Sequence, residues 1–264
     1  MDAVFIDLDG TLLDDHHHIS LKNLSALKRL ENLNIPYFIA TGRPEQLVKK
    51  ILFDLTYERM MILYNGSVVG QPFKQPKLFS KALDTSVVQT ILSYALAHQY
   101  LVMLYTEHAI YSDDNERVQY FKNFQKSDPT HFQTTFKPFD AYHGETVYKI
   151  LVVDHDQTRY HTFQNYLEDC PVQMVQSQKG FLDINPLGTS KGEAITHIIE
   201  HFGYKREYTI AFGDQENDLS MVDAVGKFIA MGNAVEKVKQ AAHLVTTSNN
   251  DNGVAHALEK LKLI

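Results

Sequence analysis

An α/β fold is predicted, with a doubly wound, parallel sheet as its core and a second α/β domain inserted into it. Three observations predict it. Short apolar runs alternate with amphipathic, helix-like stretches towards both ends of the chain. Four of those runs stop at a polar residue: Asp7, Thr41, Asn65 and Asp214. Residues 82–184 differ in composition from their flanks, with 13 Asp and Glu against 7 Lys and Arg, where the remainder is nearly balanced at 19 against 18. The same stretch holds 16 of the 29 aromatic residues. Bracketed by two similar α/β segments, it reads as an insertion. The expected division is residues 1–81 and 185–264 for the core and 82–184 for the inserted domain.

The first elements repeat one grammar. Ala3 to Ile6 has the length and branched content of a buried strand, ending at Asp7. Ser20 is a plausible N-cap, and Leu21, Leu24, Leu27, Leu30 and Leu33 recur as the stripe of an amphipathic helix. Ile35 to Ala40 is a second strand, ending at Thr41-Gly42-Arg43. Pro44 suits the first turn of another helix, with Leu47, Ile51 and Leu55 on its stripe. Met60 to Tyr64 is a third strand, ending at Asn65-Gly66.

Late in the chain the grammar returns. Helices are expected over Ser190–Phe202, Asn217–Val225, Val235–Ala242 and Gly253–Leu261, with strands at Tyr208–Phe212, Phe228–Met231 and His243–Thr246. The middle is mixed. Helices are expected at Asp84–Gln99, Glu116–Lys126 and Thr158–Glu168. Strands are expected at Leu101–Tyr105, Ala109–Ser112, Val147–Val153, Val172–Gln176 and Gly180–Asn185.

Composition excludes several functions. Hydrophobic residues are 44% and charged residues 22%, so a disordered, collagen-like or coiled-coil chain is ruled out. A net charge of −7 offers no basic stripe, so no nucleic-acid partner is expected. No apolar run approaches the ~18 residues of a membrane span, and no membrane partner is expected. Cys170 alone cannot form an internal disulfide. The acidic N-terminus does not read as a signal peptide, so a cytoplasmic protein is expected. Oligomeric state is unreadable.

The strand ends carry the chemistry. In open parallel sheets the carboxyl ends of the strands line the ligand crevice. Asp7 and Asp9 stand two residues apart, on one side of an extended segment. Two like charges there need a counter-ion, or one must hold a proton. Asp214 offers a third carboxylate, with Asp218 behind it. Hard oxygens of this kind match Mg²⁺, which pairs with phosphate. Lys191 adds a point charge for phosphate. Gly42 and Gly10 let backbone N–H groups approach an oxyanion.

These segments resemble a known family. Asp7-Leu8-Asp9-Gly10-Thr11-Leu12 is similar to the first motif of the haloacid dehalogenase superfamily of phosphatases. Ala40-Thr41-Gly42-Arg43 resembles the second, Thr189-Ser190-Lys191-Gly192 the third, and Gly213-Asp214-Gln215-Glu216-Asn217-Asp218 the fourth. Tyr64-Asn65-Gly66, Met231-Gly232-Asn233-Ala234 and Asp251-Asn252-Gly253-Val254-Ala255 further resemble its Cof-type branch, which carries a type IIB α/β cap between the second and third motifs.

The resemblance implies a Rossmann-like core with a cap, and hydrolysis of a small phosphorylated metabolite through an aspartyl-phosphate. Asp7 would be the nucleophile and Asp9 the general acid and base. Mg²⁺ would be held by the Asp7 carboxylate, the Asp9 backbone carbonyl and Asp214. Leu8 N–H, the Thr41 hydroxyl, Gly42 N–H, Lys191 and Asn217 would bind the phosphate. Asp218 would orient metal-bound water or Lys191. An Asp at position 9 is typical of the phosphatases and mutases and disfavours carbon–halogen hydrolysis. A phosphosugar mutase and a receiver-like phospho-aspartate domain are the alternative functions. A receiver lacks so large an insertion, and a non-catalytic relative would not need the full set of charges.

Plainer readings stand beside these. Thr41 also suits an N-cap of the helix at Pro44. Lys191 at a helix start opposes the helix dipole, which favours a bound anion nearby. Asn65-Gly66 is a turn signal that could also touch substrate. Arg43 reads as a surface residue, His16-His17-His18 as a solvated loop, the aromatics of 82–184 mainly as core, and Cys170 as a small buried residue.

Overall fold

A computed structural model describes residues 1–48, 55, 58–113, 118–119 and 135–264. The chain packs as two units. One comprises Met1–Thr41, Arg59–Phe79 and Ser190–Ile264; the other comprises Gly42–Glu58 and Ser80–Thr189.

The first unit opens with strand β1 (Ala3–Ile6). Helix α1 (Leu21–Asn32) follows, its start secured by the Ser20 hydroxyl, which accepts the Asn23 N–H at 3.1 Å. The leucine stripe expected on this helix is corrected. Asn23, Ala26, Leu27 and Leu30 are buried, whereas Leu21 and Leu33 are exposed. Three-residue steps advance only about 300° around a helix of 3.6 residues per turn. A strict every-third pattern therefore rotates off the buried face. Strands β2 (Tyr37–Ala40), β3 (Met61–Leu63) and β4 (Val68–Gly70) follow. After Pro44 there is a single 3₁₀ turn, Glu45–Leu47; most of the rest of that expected helix, residues 49–54 and 56–57, lies outside the described residues.

A two-residue strand β5 (Phe79–Ser80) leads into the second unit. There helix α2 (Thr85–Ala97) precedes strands β6 (Leu101–Thr106), β7 (Ile110–Tyr111), β8 (Phe136–Lys137) and β9 (Val147–Val153). Helix α3 (Gln157–Tyr166) and strands β10 (Val172–Gln178) and β11 (Phe181–Pro186) complete it. The helix expected near Glu116–Lys126 lies almost wholly outside the described residues. The sheet order is β10-β11-β9-β6-β7-β8, antiparallel except at β7–β8. Period-two alternation splits its faces. Val102, Leu104, Ile150, Val152, Leu182 and Ile184 pack with Val88, Ile91, Tyr160 and Phe163 of the helices. Tyr100, Tyr160 and Phe163 are core here, and Cys170 is half-buried against the same cluster. On the other face the buried Lys149 ammonium lies 3.0 Å from Asp183 and 4.8 Å from the Tyr105 ring centre, and donates to Gly42 O at 2.7 Å.

Back in the first unit, Ser190 caps helix α4 (Lys191–Phe202) by accepting the Glu193 N–H. Strand β12 (Thr209–Gly213), helix α5 (Met221–Ala224), strand β13 (Lys227–Ala230), helix α6 (Glu236–Ala241), strand β14 (Leu244–Val245) and helix α7 (Gly253–Lys260) end the chain. The helix expected over Asn217–Val225 is broken into a 3₁₀ turn, Glu216–Asp218, and the short α5. The Asp218 carboxylate accepts the N–H groups of Asp214 and Gln215, the second as half of a capping box that starts this turn. The sheet order is β14-β13-β12-β1-β2-β3-β4-β5. It is parallel from β14 to β3, and β4 returns antiparallel to β3. Strand β1 lies between β12 and β2, so its carboxyl end is flanked by both. No helix among the described residues is long and apolar enough to cross a membrane.

Candidate active site

The carboxyl ends of β1 and β12 place Asp7 and Asp214 side by side. Ile6 pairs with Phe212 in register, and the Asp7 N–H donates to Phe212 O at 3.1 Å. Helix α4 brings its first residue, Lys191, into the same place. The turn after β12 supplies Asp218. All four side chains are buried. Lys191 Nζ donates to Asp7 Oδ1 at 2.7 Å and to Asp218 Oδ1 at 2.6 Å. One carboxylate oxygen from each of Asp7, Asp214 and Asp218 lies within 4.8 Å of the others.

Three carboxylates therefore share one ammonium. Burial opposes the charge on Lys191, yet Asp218 and Asp7 outweigh it and raise the ammonium above its ordinary value. The deficit falls on the other two acids. Burial pushes Asp7 well up; Lys191 opposes this, while Asp218, Asp214 and Asp9 add to it. Burial, helped by the charge of Asp218, pushes Asp214 up to about 7 against the Thr11 hydroxyl. A buried acidic excess of this kind suits a divalent cation.

The donor set passes the same test. Among the described residues, the Asp7 carboxylate accepts one hydrogen bond, from Lys191 to Oδ1, which leaves Oδ2 for a cation. Asp214 accepts from Thr11 at 2.9 Å and, at 3.3 Å, from Gln215. Both Asp218 oxygens already accept hydrogen bonds: Oδ1 from Lys191, and Oδ2 from the N–H groups of Asp214 at 2.8 Å and Gln215 at 3.1 Å. It contributes charge and holds Lys191 and the Asp214 loop in place.

The remaining expected residues stand as follows. Asp9 lies outside the buried group; its carboxylate is part-exposed, 3.7 Å from His17 Nδ1. Leu8 is buried, and its N–H meets no acceptor among the described residues. Thr41 is buried at the end of β2, its N–H on Ile62 O and its carbonyl accepting from Asn65 N–H. Gly42 follows it and opens the second unit. Asn217 is part-exposed, and its Nδ2 donates to Asn65 Oδ1 at 3.1 Å. Arg43 holds Leu47 O at 3.2 Å. The histidine loop is exposed and organised by Asp14, which accepts the N–H groups of His16 and His18.

Sequence reasoning missed Thr11 and Gln215 as partners of Asp214 and left the place of Asn65 open. It also missed why residue 10 must be glycine. Its φ is +78°, and a Cβ there would meet Asp214 Oδ2 at 2.3 Å. The signal was present in the Asp-Gly-Thr triplet, where a small residue and a hydroxyl follow two acids.

Comparison with known proteins identifies the family. A family model described as haloacid dehalogenase-like hydrolase matches residues 4–258. The chain belongs to that family. Phosphatase YwpJ of Bacillus subtilis is 29% identical, over 99% of this chain and all of its own length. The 5-amino-6-(5-phospho-D-ribitylamino)uracil phosphatase YwtE of the same organism is also 29% identical, over 99% of this chain and 98% of its own. Among solved structures, a haloacid dehalogenase-like hydrolase from B. subtilis superposes with a TM-score of 0.87 at 28% identity, covering 99% of this chain and all of that one. The subclass IIB sugar phosphatase BT4131 gives 0.87 at 26% identity, with both chains fully covered. The parallel core sheet and inserted sheet are those of the Cof-type, subclass IIB branch. Within the haloacid dehalogenase family the chain is a phosphoric monoester hydrolase.

Proposed function

We propose that this phosphatase is Mg²⁺-dependent, hydrolyses sugar phosphates or cofactor phosphates, and works through a phospho-Asp7 intermediate. The observation that carries the reading is the buried group Asp7, Lys191, Asp218 and Asp214 at adjoining strand ends. The substrate class follows the names of the relatives, a sugar phosphatase and a ribitylaminouracil phosphate phosphatase.

Asp7 presents a carboxylate oxygen to phosphorus. As the Oδ–P bond forms, the P–O bond to the leaving alcohol breaks, and Asp9 gives that oxygen its proton. Asp9 is part-exposed and so able to exchange its proton with solvent. In the second step Asp9 takes a proton from water, which attacks phosphorus and releases Asp7 and inorganic phosphate. Lys191, Asn217, the Thr41 hydroxyl and the N–H groups of Leu8 and Gly42 bind the transferring oxygens. The Asp7 and Asp214 carboxylates and the Asp9 carbonyl would hold Mg²⁺. When bound it neutralises the repulsion between a carboxylate and a phosphate dianion. Asp218 keeps Lys191 charged and in place. Residues 82–184 act as the cap that selects the leaving group.

The test is phosphate release from p-nitrophenyl phosphate and a panel of sugar and cofactor phosphates, with Mg²⁺ and with chelator. Activity that needs Mg²⁺ and vanishes in Asp7→Asn is expected. Full activity in that variant would remove the nucleophile from the scheme. Isomerised sugar phosphate without free phosphate would make the enzyme a mutase.

A further inference from the structure

The turn Tyr64–Gly66 reaches the other phosphate-binding segments of the first unit from one position. The Asn65 N–H donates to Thr41 O at 3.1 Å, and Asn65 Oδ1 accepts from Asn217 Nδ2 at 3.1 Å. Gly66 sits so close to the start of α4 that a Cβ would lie 2.1 Å from Ser190 O. We propose that Asn65 is a positioning residue for the transferring phosphoryl group, acting through the Thr41–Gly42 peptide and the Asn217 amide. This rests on the phosphatase reading above, in which Gly42 N–H and Asn217 are phosphate contacts.

The two links do different things. A peptide group is planar, with its carbonyl and N–H on opposite edges. Holding the Thr41 carbonyl therefore sets the direction of the Gly42 N–H, although glycine itself imposes little. The second link concerns the amide of Asn217. Its oxygen and nitrogen are nearly equal in size, so packing alone does not choose between the two orientations. An acceptor on Asn65 does choose: it brings the NH₂ towards Asn65, and the second N–H of the same planar group then points in a fixed direction. With Asn65 Oδ1 facing it, reversing the Asn217 amide alone would set two carbonyl oxygens against each other.

The local backbone is built for this. Tyr64, Asn65 and Gly66 have φ of 50°, 56° and 102°, three left-handed residues in a row, and all are buried. Such conformations cost energy for side-chain-bearing residues and gather at functional sites. Asn is among the residues that tolerate them best. A residue chosen only for the turn would be glycine, which has no oxygen to offer Asn217.

The experiment compares wild type, Asn65→Gly, Asn65→Asp, Asn217→Ala and the double variant Asn65→Gly/Asn217→Ala. Each is assayed for p-nitrophenyl phosphate turnover and for inorganic phosphate affinity by ³¹P NMR titration. Asn65→Gly keeps the left-handed turn and the backbone N–H, and removes the side-chain amide with its acceptor oxygen. It should lose roughly tenfold to a hundredfold in kcat/KM, the scale of a misplaced catalytic contact, and bind phosphate more weakly. The double variant should be no worse than Asn217→Ala. Asn65→Asp keeps the acceptor and should retain more kcat than Asn65→Gly. Losses that multiply in the double variant, an unimpaired Asn65→Gly beside an impaired Asn217→Ala, or an Asn65→Asp as poor as Asn217→Ala would each overturn the positioning role. An unimpaired Asn217→Ala would overturn the phosphate-contact reading itself, and the positioning role with it.

Discussion

Raising the pH should destabilise the metal-free protein, with Asp214 as one measurable source of the effect. Burial, and then the charge of Asp218, push its carboxyl up from 3.8 to about 7. Across that window the folded state keeps a proton that the unfolded state has lost. The contribution to stability is therefore fully present below about pH 4, falls as the pH rises towards 7, and is gone above it. At about 1.4 kcal/mol for each pH unit, the window gives a ceiling of ~4 kcal/mol. Asp7 is raised as well and acts in the same direction. A divalent cation binds the ionised carboxylates, so it should release protons on binding and stabilise the protein more at pH 8 than at pH 5. Urea unfolding of wild type and Asp214→Asn at pH 5, 6.5 and 8, in chelator and in excess Mg²⁺, measures both effects. The wild type should lose stability relative to the variant as the pH rises, and only the wild type should show the larger gain from Mg²⁺ at pH 8. A wild type that gains on the variant with rising pH, or Mg²⁺ stabilisation equal at pH 5 and pH 8, would refute the reasoning.

Two further outcomes concern stability alone. Lys149→Met should destabilise the second unit by ~3–5 kcal/mol, because the buried Asp183 carboxylate loses the ammonium 3.0 Å from it; Lys149→Met/Asp183→Leu should recover much of the loss in the same unfolding assay. In α1, Leu27→Ala should cost about 2–5 kcal/mol and Ser20→Ala about 1 kcal/mol, whereas Leu21→Ala, on the exposed side, should stay within about 0.5 kcal/mol. Equal losses at Leu21 and Leu27 would restore the every-third leucine stripe.

Strand ends were legible because their grammar is local. Asp7, Thr41 and Asp214 each close an apolar run, and parallel pairing then gathers them however far apart they lie in the chain. Side-chain reach was not legible. That Thr11 bonds Asp214, 203 residues away, or that Asn65 bonds Asn217, 152 away, depends on tertiary placement that no spacing encodes. Nor was the division of the expected helix into a 3₁₀ turn at Glu216–Asp218 and a short helix at Met221–Ala224. The return of β4 beside β3 follows from the left-handed turn at 64–66, for which Asn65-Gly66 gave a turn signal but no direction.

Strand β1 has one neighbour, β2, that follows soon after it and another, β12, that is synthesised some two hundred residues later. On the ribosome, Asp7 therefore waits as half a site until the last third of the polypeptide emerges. Nascent chains halted before Asp214 have the acid of the first strand without its late neighbour, and on the reading proposed above they would lack half of the carboxylate pair for a cation.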